Sequence, residues 1–221
     1  MNKLLAAFLV SSTLLTGCAG NKVTDDKYSG FLNDYSILKP TAKDADTLNY
    51  IAPNIDWQQY DSGMVDKVLI ITPDGNVKTD GKLLVAIADK YEELIKQKLS
   101  RKFKIVDQAG PGTIRVQAAI TSVFSSYDDL KGYQYIPIAA VVTGAGRASG
   151  IKKKSVRVIS EVKMVDSTDG QLLIQAVDLK AGEKKQDENS AILLADVVPI
   201  LDQWAQRMTD RIVELKAQLK R

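Results

Sequence analysis

The sequence predicts an α+β fold: a mainly antiparallel sheet of about five strands with two helices packed on one face. A signal peptide and an extended N-terminal segment precede it. Three observations predict this. Apolar and polar residues alternate along 114–120 and 156–164, the period of a half-buried strand. Apolar residues recur at helical spacing along 84–99 and 201–219. The chain has 221 residues, 45% apolar and 26% charged, which is ordinary globular material.

Taken in order, Tyr28 to Pro40 is dense in aromatics and is expected to dock onto the core. Thr41 to Asp46 is expected as a polar loop, and 50–60 as an extended wrap in which Tyr50, Ile51, Trp57 and Tyr60 interleave with polar residues. Lys67–Ile71 is an apolar run closed by the turn residues Thr72-Pro73-Asp74-Gly75, hence a strand. Thr79 or Asp80 can cap the helix that follows. Its stripe is Leu84, Ile87, Ala88, Tyr91, Leu94, Ile95 and Leu99, with Glu92 and Lys96 as a supporting i,i+4 pair. Phe103–Val106 is a short strand ended by Gly110-Pro111-Gly112.

The next strand places Ile114, Val116, Ala118, Ile120 and Phe124 on one face and Arg115, Gln117 and Thr121 on the other. Val156, Val158, Val162 and Met164 alternate likewise with Arg157, Glu161 and Lys163. Asp166-Ser167-Thr168-Asp169-Gly170 is a tight turn, its glycine free to take positive φ. Leu172–Leu179 returns as the partner strand. The three make an antiparallel meander with one wet face. Gly182 to Glu188 is a charged loop. A last helix starts near Ser190, with Leu201, Trp204, Met208, Ile212, Leu215 and Leu219 as its stripe. Pro199 is expected to break or kink it, having no N–H for the i−4 carbonyl. The organisation is therefore a signal peptide at 1–17, a tether at 18–27, a docking segment at 28–66, and an α+β domain at 67–221 with an apolar insertion at 131–150.

Composition narrows the chemistry. There is no histidine, so Ser-His-Asp and Cys-His catalysis and histidine metal sites are excluded. One cysteine excludes intramolecular disulfides and thiolate zinc clusters. Asp25-Asp26, Asp128-Asp129 and the Asp166–Gly170 turn could attract a cation, but none has the spacing of a ligand set, and surface solvation explains them. Gly144-Ala145-Gly146 lacks the third glycine and the strand-to-helix setting of a dinucleotide fingerprint. No cofactor, no metal and no catalysis are expected. The formal charge is +3, unevenly spread: 25–80 holds five Lys and ten Asp, and 81–221 holds 23 cations and 17 anions.

The N-terminus carries an export pattern: Lys3, an apolar run from Leu4 to Leu14, and small residues at Thr16 and Gly17. That run is shorter than the roughly 20 residues a spanning helix needs. Leu15-Thr16-Gly17-Cys18 resembles a bacterial lipobox, and the chain's one cysteine stands at its end. The resemblance implies that the Cys18 thiol takes a diacylglycerol, that cleavage precedes Cys18, and that the new amine is acylated. By likeness to enterobacterial lipoproteins, Ala19 in place of Asp implies the outer membrane. Each buried methylene adds about 0.8 kcal/mol of membrane affinity, so several acyl chains anchor almost irreversibly. An envelope location makes a nucleic-acid partner a poor reading of the basic residues.

Gly132 to Gly146 carries no charge and interrupts two strands that would otherwise pair. Hairpin loops usually have two to five residues. Three readings stay open: cover for the core, a contact surface for a second copy or an envelope protein, or an element that dips into the membrane. The contact surface would be built from Tyr133, Tyr135, Ile136, Ile138, Val141 and Val142. Lys152, Lys153 and Lys154 follow; they either guard a strand edge or touch a polyanion such as anionic lipid.

The lipobox, Tyr28-Ser29-Gly30-Phe31-Leu32 with Asp34-Tyr35-Ser36, the Tyr60–Ile70 stretch, Gly110-Pro111-Gly112-Thr113 and Asp166–Leu172 together resemble the bacterial DUF3313 lipoproteins, over nearly all of the mature chain. The family's function is unknown, so the resemblance implies a Gram-negative envelope lipoprotein and no catalytic residues. The layout is also similar to that of the curli secretion channel and exopolysaccharide-export lipoproteins, which form rings. The expected role is that of a lipid-anchored, periplasm-facing outer-membrane lipoprotein with a structural or assembly task. The alternative is a module that binds an envelope glycan, lipid or peptide. A carboxylate hydrolase is the least favoured reading.

Overall fold

The computed structural model describes residues 28–41, 44–71, 79–127, 154–184 and 191–218. Among the described residues, eight strands and two long helices follow one another: β1 (Lys39–Thr41), β2 (Asp44–Ile51), β3 (Ser62–Val65), β4 (Leu69–Ile70), α1 (Gly81–Leu99), β5 (Lys104–Ile105), β6 (Thr113–Tyr127), β7 (Lys154–Asp166), β8 (Leu172–Lys184) and α2 (Leu194–Gln218). A single turn of 3-10 helix spans Trp57–Gln59. All strands join one sheet in the order β1-β2-β8-β7-β6-β3-β5, with β4 also on β6.

The α+β class with two helices stands. The sheet is larger than the expected five strands, and mixed rather than mainly antiparallel. β6, β7 and β8 form the antiparallel meander, but β3 and β4 run parallel to β6. The additional strands come from stretches expected as loop or wrap. β2 covers part of the expected polar loop and pairs with β8 from Thr47↔Asp178 to Ile51↔Ile174. These segments lie in the two outer strand pairs of the sheet, β1-β2 and β3-β5, where pairing with a neighbour's backbone decides the conformation. The expected Lys67–Ile71 strand shrinks to Leu69–Ile70. β8 runs to Lys184, past the start of the expected charged loop.

One core fills the space between the inner sheet face and both helices. Leu84, Ile87, Ala88, Tyr91, Leu94, Ile95 and Leu99 of α1 meet Leu201, Trp204, Met208, Ile212 and Leu215 of α2 and Ile114, Val116, Val156, Val158 and Met164 of the sheet. Fully burying each large apolar side chain contributes roughly 1.5–3 kcal/mol. Asp80 caps α1, its carboxylate accepting from the Lys82 N–H at 3.1 Å. Asp196 accepts from the Leu193 N–H at 2.7 Å and closes the start of α2. That helix runs through Pro199 without a break. Val197, Ile200 and Leu201, buried on either side of the proline, hold the backbone in place. Leu219 lies outside the described residues.

A β-bulge changes the facing of β6. Ile120 pairs with Ser160 and Ser122 with Ile159, leaving Thr121 as the extra residue. The alternation flips there. Val123 therefore joins the helix-side core, and Phe124, expected on the same face as Ile114, packs on the opposite side with Leu32 and Leu179. Gly170 (φ 76°) completes the Asp166 turn, in which Asp166 accepts from the Thr168 N–H at 2.7 Å.

Candidate functional site

The outer sheet face, away from the helices, was expected to be wet. It is covered. Residues 28–38 lie across it as a strap, and Leu32, Ile159, Val177 and Leu179 form a second, smaller core with Phe31, Tyr35, Leu38 and Phe124 packed around it. Glu161, read from the sequence as a solvent-facing position of β7, is 1% exposed. The Tyr35 hydroxyl donates to Glu161 Oε2 at 2.6 Å and accepts from the Leu32 N–H at 3.1 Å. Burial pushes the Glu161 carboxyl up, against the lowering pull of hydrogen bonds from Tyr35 and Ser29. Burial and the neighbouring Glu161 raise Tyr35 to about 12.

One further contact stiffens the strap and two tie it to the sheet. Tyr28 stacks on Tyr35 with centroids 3.8 Å apart. The Lys163 ammonium lies 5.0 Å over the Phe31 ring. Gln175 donates from its side-chain amide to the Asp34 carbonyl. The aromatics expected to dock do so, and an alternation of β7 and β8 that looked half-wet is dry because another part of the chain lies on it.

Beside the strap a cleft of about 310 Å³ opens between Phe31 and β4, lined by Asp66, Lys67, Leu69, Gln117 and Ala118. Leu69 is 49% exposed. Asp66 holds the polar floor: it accepts from Arg115 Nε at 2.9 Å and from Gln117 Nε2 at 2.8 Å. The bond from Arg115 raises its guanidinium further above the ordinary value. The cleft thus offers two apolar walls, an exposed Lys67 ammonium and a neutralised Asp66–Arg115 pair. Sequence reading placed Arg115 and Gln117 on the outer face but missed Asp66, which follows a strand too short to show a period.

On the inner face the buried ionisable groups serve the fold. Asp178 accepts from Arg207 on α2 and from the Thr47 hydroxyl at 3.1 Å. Burial raises its carboxyl, with Arg207 pulling the other way. Tyr60 donates to Asp166 Oδ2 at 2.9 Å, and Lys216 donates to the Tyr60 carbonyl, fastening the end of α2. The Asp166 carboxylate is lifted by partial burial but lies below its ordinary value overall, because the Thr168 backbone and the Tyr60 hydroxyl donate to it.

Most sequence-predicted site residues, Cys18, Tyr133, Tyr135, Ile136, Ile138, Val141, Val142, Lys152 and Lys153, lie outside the described residues, as do Asp25, Asp26, Asp128 and Asp129. Lys154 begins β7, opposite Tyr127. Among the described residues no three His, Cys, Asp or Glu side chains gather in a way that could hold a metal ion. No described helix is long and apolar enough to cross a membrane.

Comparison with known proteins adds the relationship. The chain is 29% identical over 206 residues to the uncharacterized lipoprotein YdcL of Escherichia coli K12, covering 92% of this chain and 93% of that one. Among solved structures it is similar to protein XCC0632 from Xanthomonas campestris, with 14% identity, TM-score 0.44, and coverage of 76% of this chain and 95% of that one. It is also similar to the PelC dodecamer from Paraburkholderia phytofirmans, with 10% identity, TM-score 0.38, and coverage of 72% and 96%. A family model described as a protein of unknown function, DUF3313, matches residues 27–208. The strap, all eight strands and most of both helices fall within that match, and the chain belongs to the DUF3313 family.

Proposed function

We propose that the protein is an outer-membrane lipoprotein, anchored through Cys18 and facing the periplasm, whose folded domain has a structural or assembly role and no catalytic one. The observation that carries this is Cys18 itself. It is the chain's single cysteine, it ends the Leu15-Thr16-Gly17-Cys18 motif, and it stands ten residues before the strap that ties the N-terminus to the domain. The E. coli relative that is named a lipoprotein supports the same reading. The engagement of the buried carboxylates supports a non-catalytic role: Glu161 holds the strap and Asp178 joins sheet to helix.

In this reading Tyr133, Tyr135, Ile136, Ile138, Val141 and Val142 form the contact surface for a second copy or an envelope protein, and Lys152, Lys153 and Lys154 meet a polyanion. Full-length protein and Cys18→Ala, expressed in a Gram-negative host, test the anchor. The parent should fractionate with the outer membrane, with a mass corresponding to a chain starting at an acylated Cys18. Cys18→Ala should leave the membrane fraction. A parent of unmodified mass overturns the anchor. Light scattering of the domain Ala19–Arg221, with and without 131–150, tests assembly. A defined oligomer that the deletion converts to a folded monomer supports it. A parent that is monomeric overturns it and favours the second reading, a ligand-binding module, for which the Phe31–Leu69 cleft is the specific observation.

A further inference from the structure

The structure fixes where the tether leaves the domain, and its length limits how the domain can face a membrane. We infer that the strap-covered sheet face, with the Phe31–Leu69 cleft and Lys67, is held against the bilayer surface, while the helical layer faces away. This rests on the anchor at Cys18.

The tether leaves at Tyr28, which is stacked on Tyr35. Tyr35 in turn is bonded to Glu161 on the outer face of β7. The exit is therefore above the middle of the outer face, with three strands on either side in the order β1-β2-β8-β7-β6-β3-β5. Nine residues lie between Cys18 and Tyr28, which makes ten Cα–Cα steps. Whatever their conformation, they reach at most about 33–36 Å.

For the helices to face the bilayer, the tether would have to pass around the sheet edge and down the side of the molecule. Three strand spacings make about 14 Å, and strap, sheet and helix layers together add about 25 Å, a path of about 39 Å. Full extension does not cover it. With the outer face toward the bilayer, the same tether is slack.

The surface so presented suits lipid. Leu69 on β4 pairs with Ala119 and stands with Phe31 and Lys67 around the cleft. An apolar edge for the acyl boundary and an ammonium for a headgroup phosphate lie side by side, as in interfacial anchors.

The test uses the full-length, lipidated protein in vesicles of phosphatidylethanolamine and phosphatidylglycerol carrying a nitroxide on the headgroup. Lipidation consumes the Cys18 thiol, so an introduced cysteine is the only one to label. A fluorophore at Leu69→Cys should be quenched severalfold more than one at Glu93→Cys, an exposed position of α1 whose side chain is 62% accessible. Equal quenching, or stronger quenching at position 93, overturns the orientation. An unlabelled parent that fails to float with the vesicles overturns the anchor as well, which separates the two failures. Inserting ten residues after Asn21 should erase the difference; a difference that persists overturns tether length as its cause.

Discussion

Removing one oxygen should loosen the strap in a pH-dependent way. In Tyr35→Phe the ring, the stack with Tyr28 and the packing against Leu32 are kept. Lost are the 2.6 Å hydrogen bond to Glu161 and the acceptor for the Leu32 N–H. A hydrogen bond to a charged group contributes about 1.5–3 kcal/mol and a neutral one about 1. The strap is half-buried, so water reclaims part of the second, and the net cost is about 2–3 kcal/mol at a pH where Glu161 is ionised in both proteins.

The sign of the pH dependence follows from Glu161. Its folded pKa is raised, burial being the largest cause. The stability it contributes is therefore fully present below the unfolded carboxyl value and is lost as pH rises through the folded value. Tyr35 stabilises the charged form, so Tyr35→Phe raises that pKa further. The deficit of the variant should shrink toward acid, where Glu161 is protonated in both proteins, and reach its full size above the variant's folded pKa. Urea melts of the domain Ala19–Arg221 between pH 4 and pH 8 measure it. A deficit below about 0.5 kcal/mol, in the range of an ordinary surface change, or one constant across the whole pH range, would refute the role assigned to the Tyr35–Glu161 bond.

Other substitutions probe other links. Asp178→Ala leaves Arg207 without its carboxylate behind a Thr47 that also loses its acceptor. About 3 kcal/mol should go, the lower end for a broken buried pair because Arg207 is a third exposed, read from the urea midpoint. Pro199→Ala should stabilise by about 2 kcal/mol, since the helix already continues through an exposed proline and gains an N–H for the Ala195 carbonyl; a lower melting temperature would show that the ring is needed. Gly112→Ala should cost about 2 kcal/mol, as the glycine has φ 69° and a Cβ would stand 2.7 Å from the Gln59 carbonyl. Lys90→Ala removes an exposed pair with Glu93 and should shift the midpoint by no more than about 0.5 kcal/mol.

Elements whose pattern is local are legible from the residues alone. The stripe of α1 appears residue for residue in the core, the Asp80 cap and the Glu92–Lys96 pair form as expected, and the Asp166–Gly170 turn closes the β7–β8 hairpin. The aromatic strap was legible too, because Tyr28, Phe31 and Tyr35 concentrate more apolar surface than a free linker carries. Of the candidate site, the sequence offered the strap and the outward Arg115 and Gln117.

What the strap lands on depends on the folded sheet and is not written in the strap's own residues. Glu161 and Lys163 alternate with valines just as solvent-facing residues do, and period alone cannot say whether the polar side meets water or another part of the chain. The bulge at Thr121 leaves no mark in the residue types, yet it sends Phe124 to the opposite face. β2 and β3 are strands because neighbouring backbones pair with them, so their own residues carry little signal. The cleft joins Phe31, Asp66, Leu69 and Gln117 from three separate stretches. Local preference is written along the chain, whereas burial, register and proximity arise only when distant segments compete for the same surface.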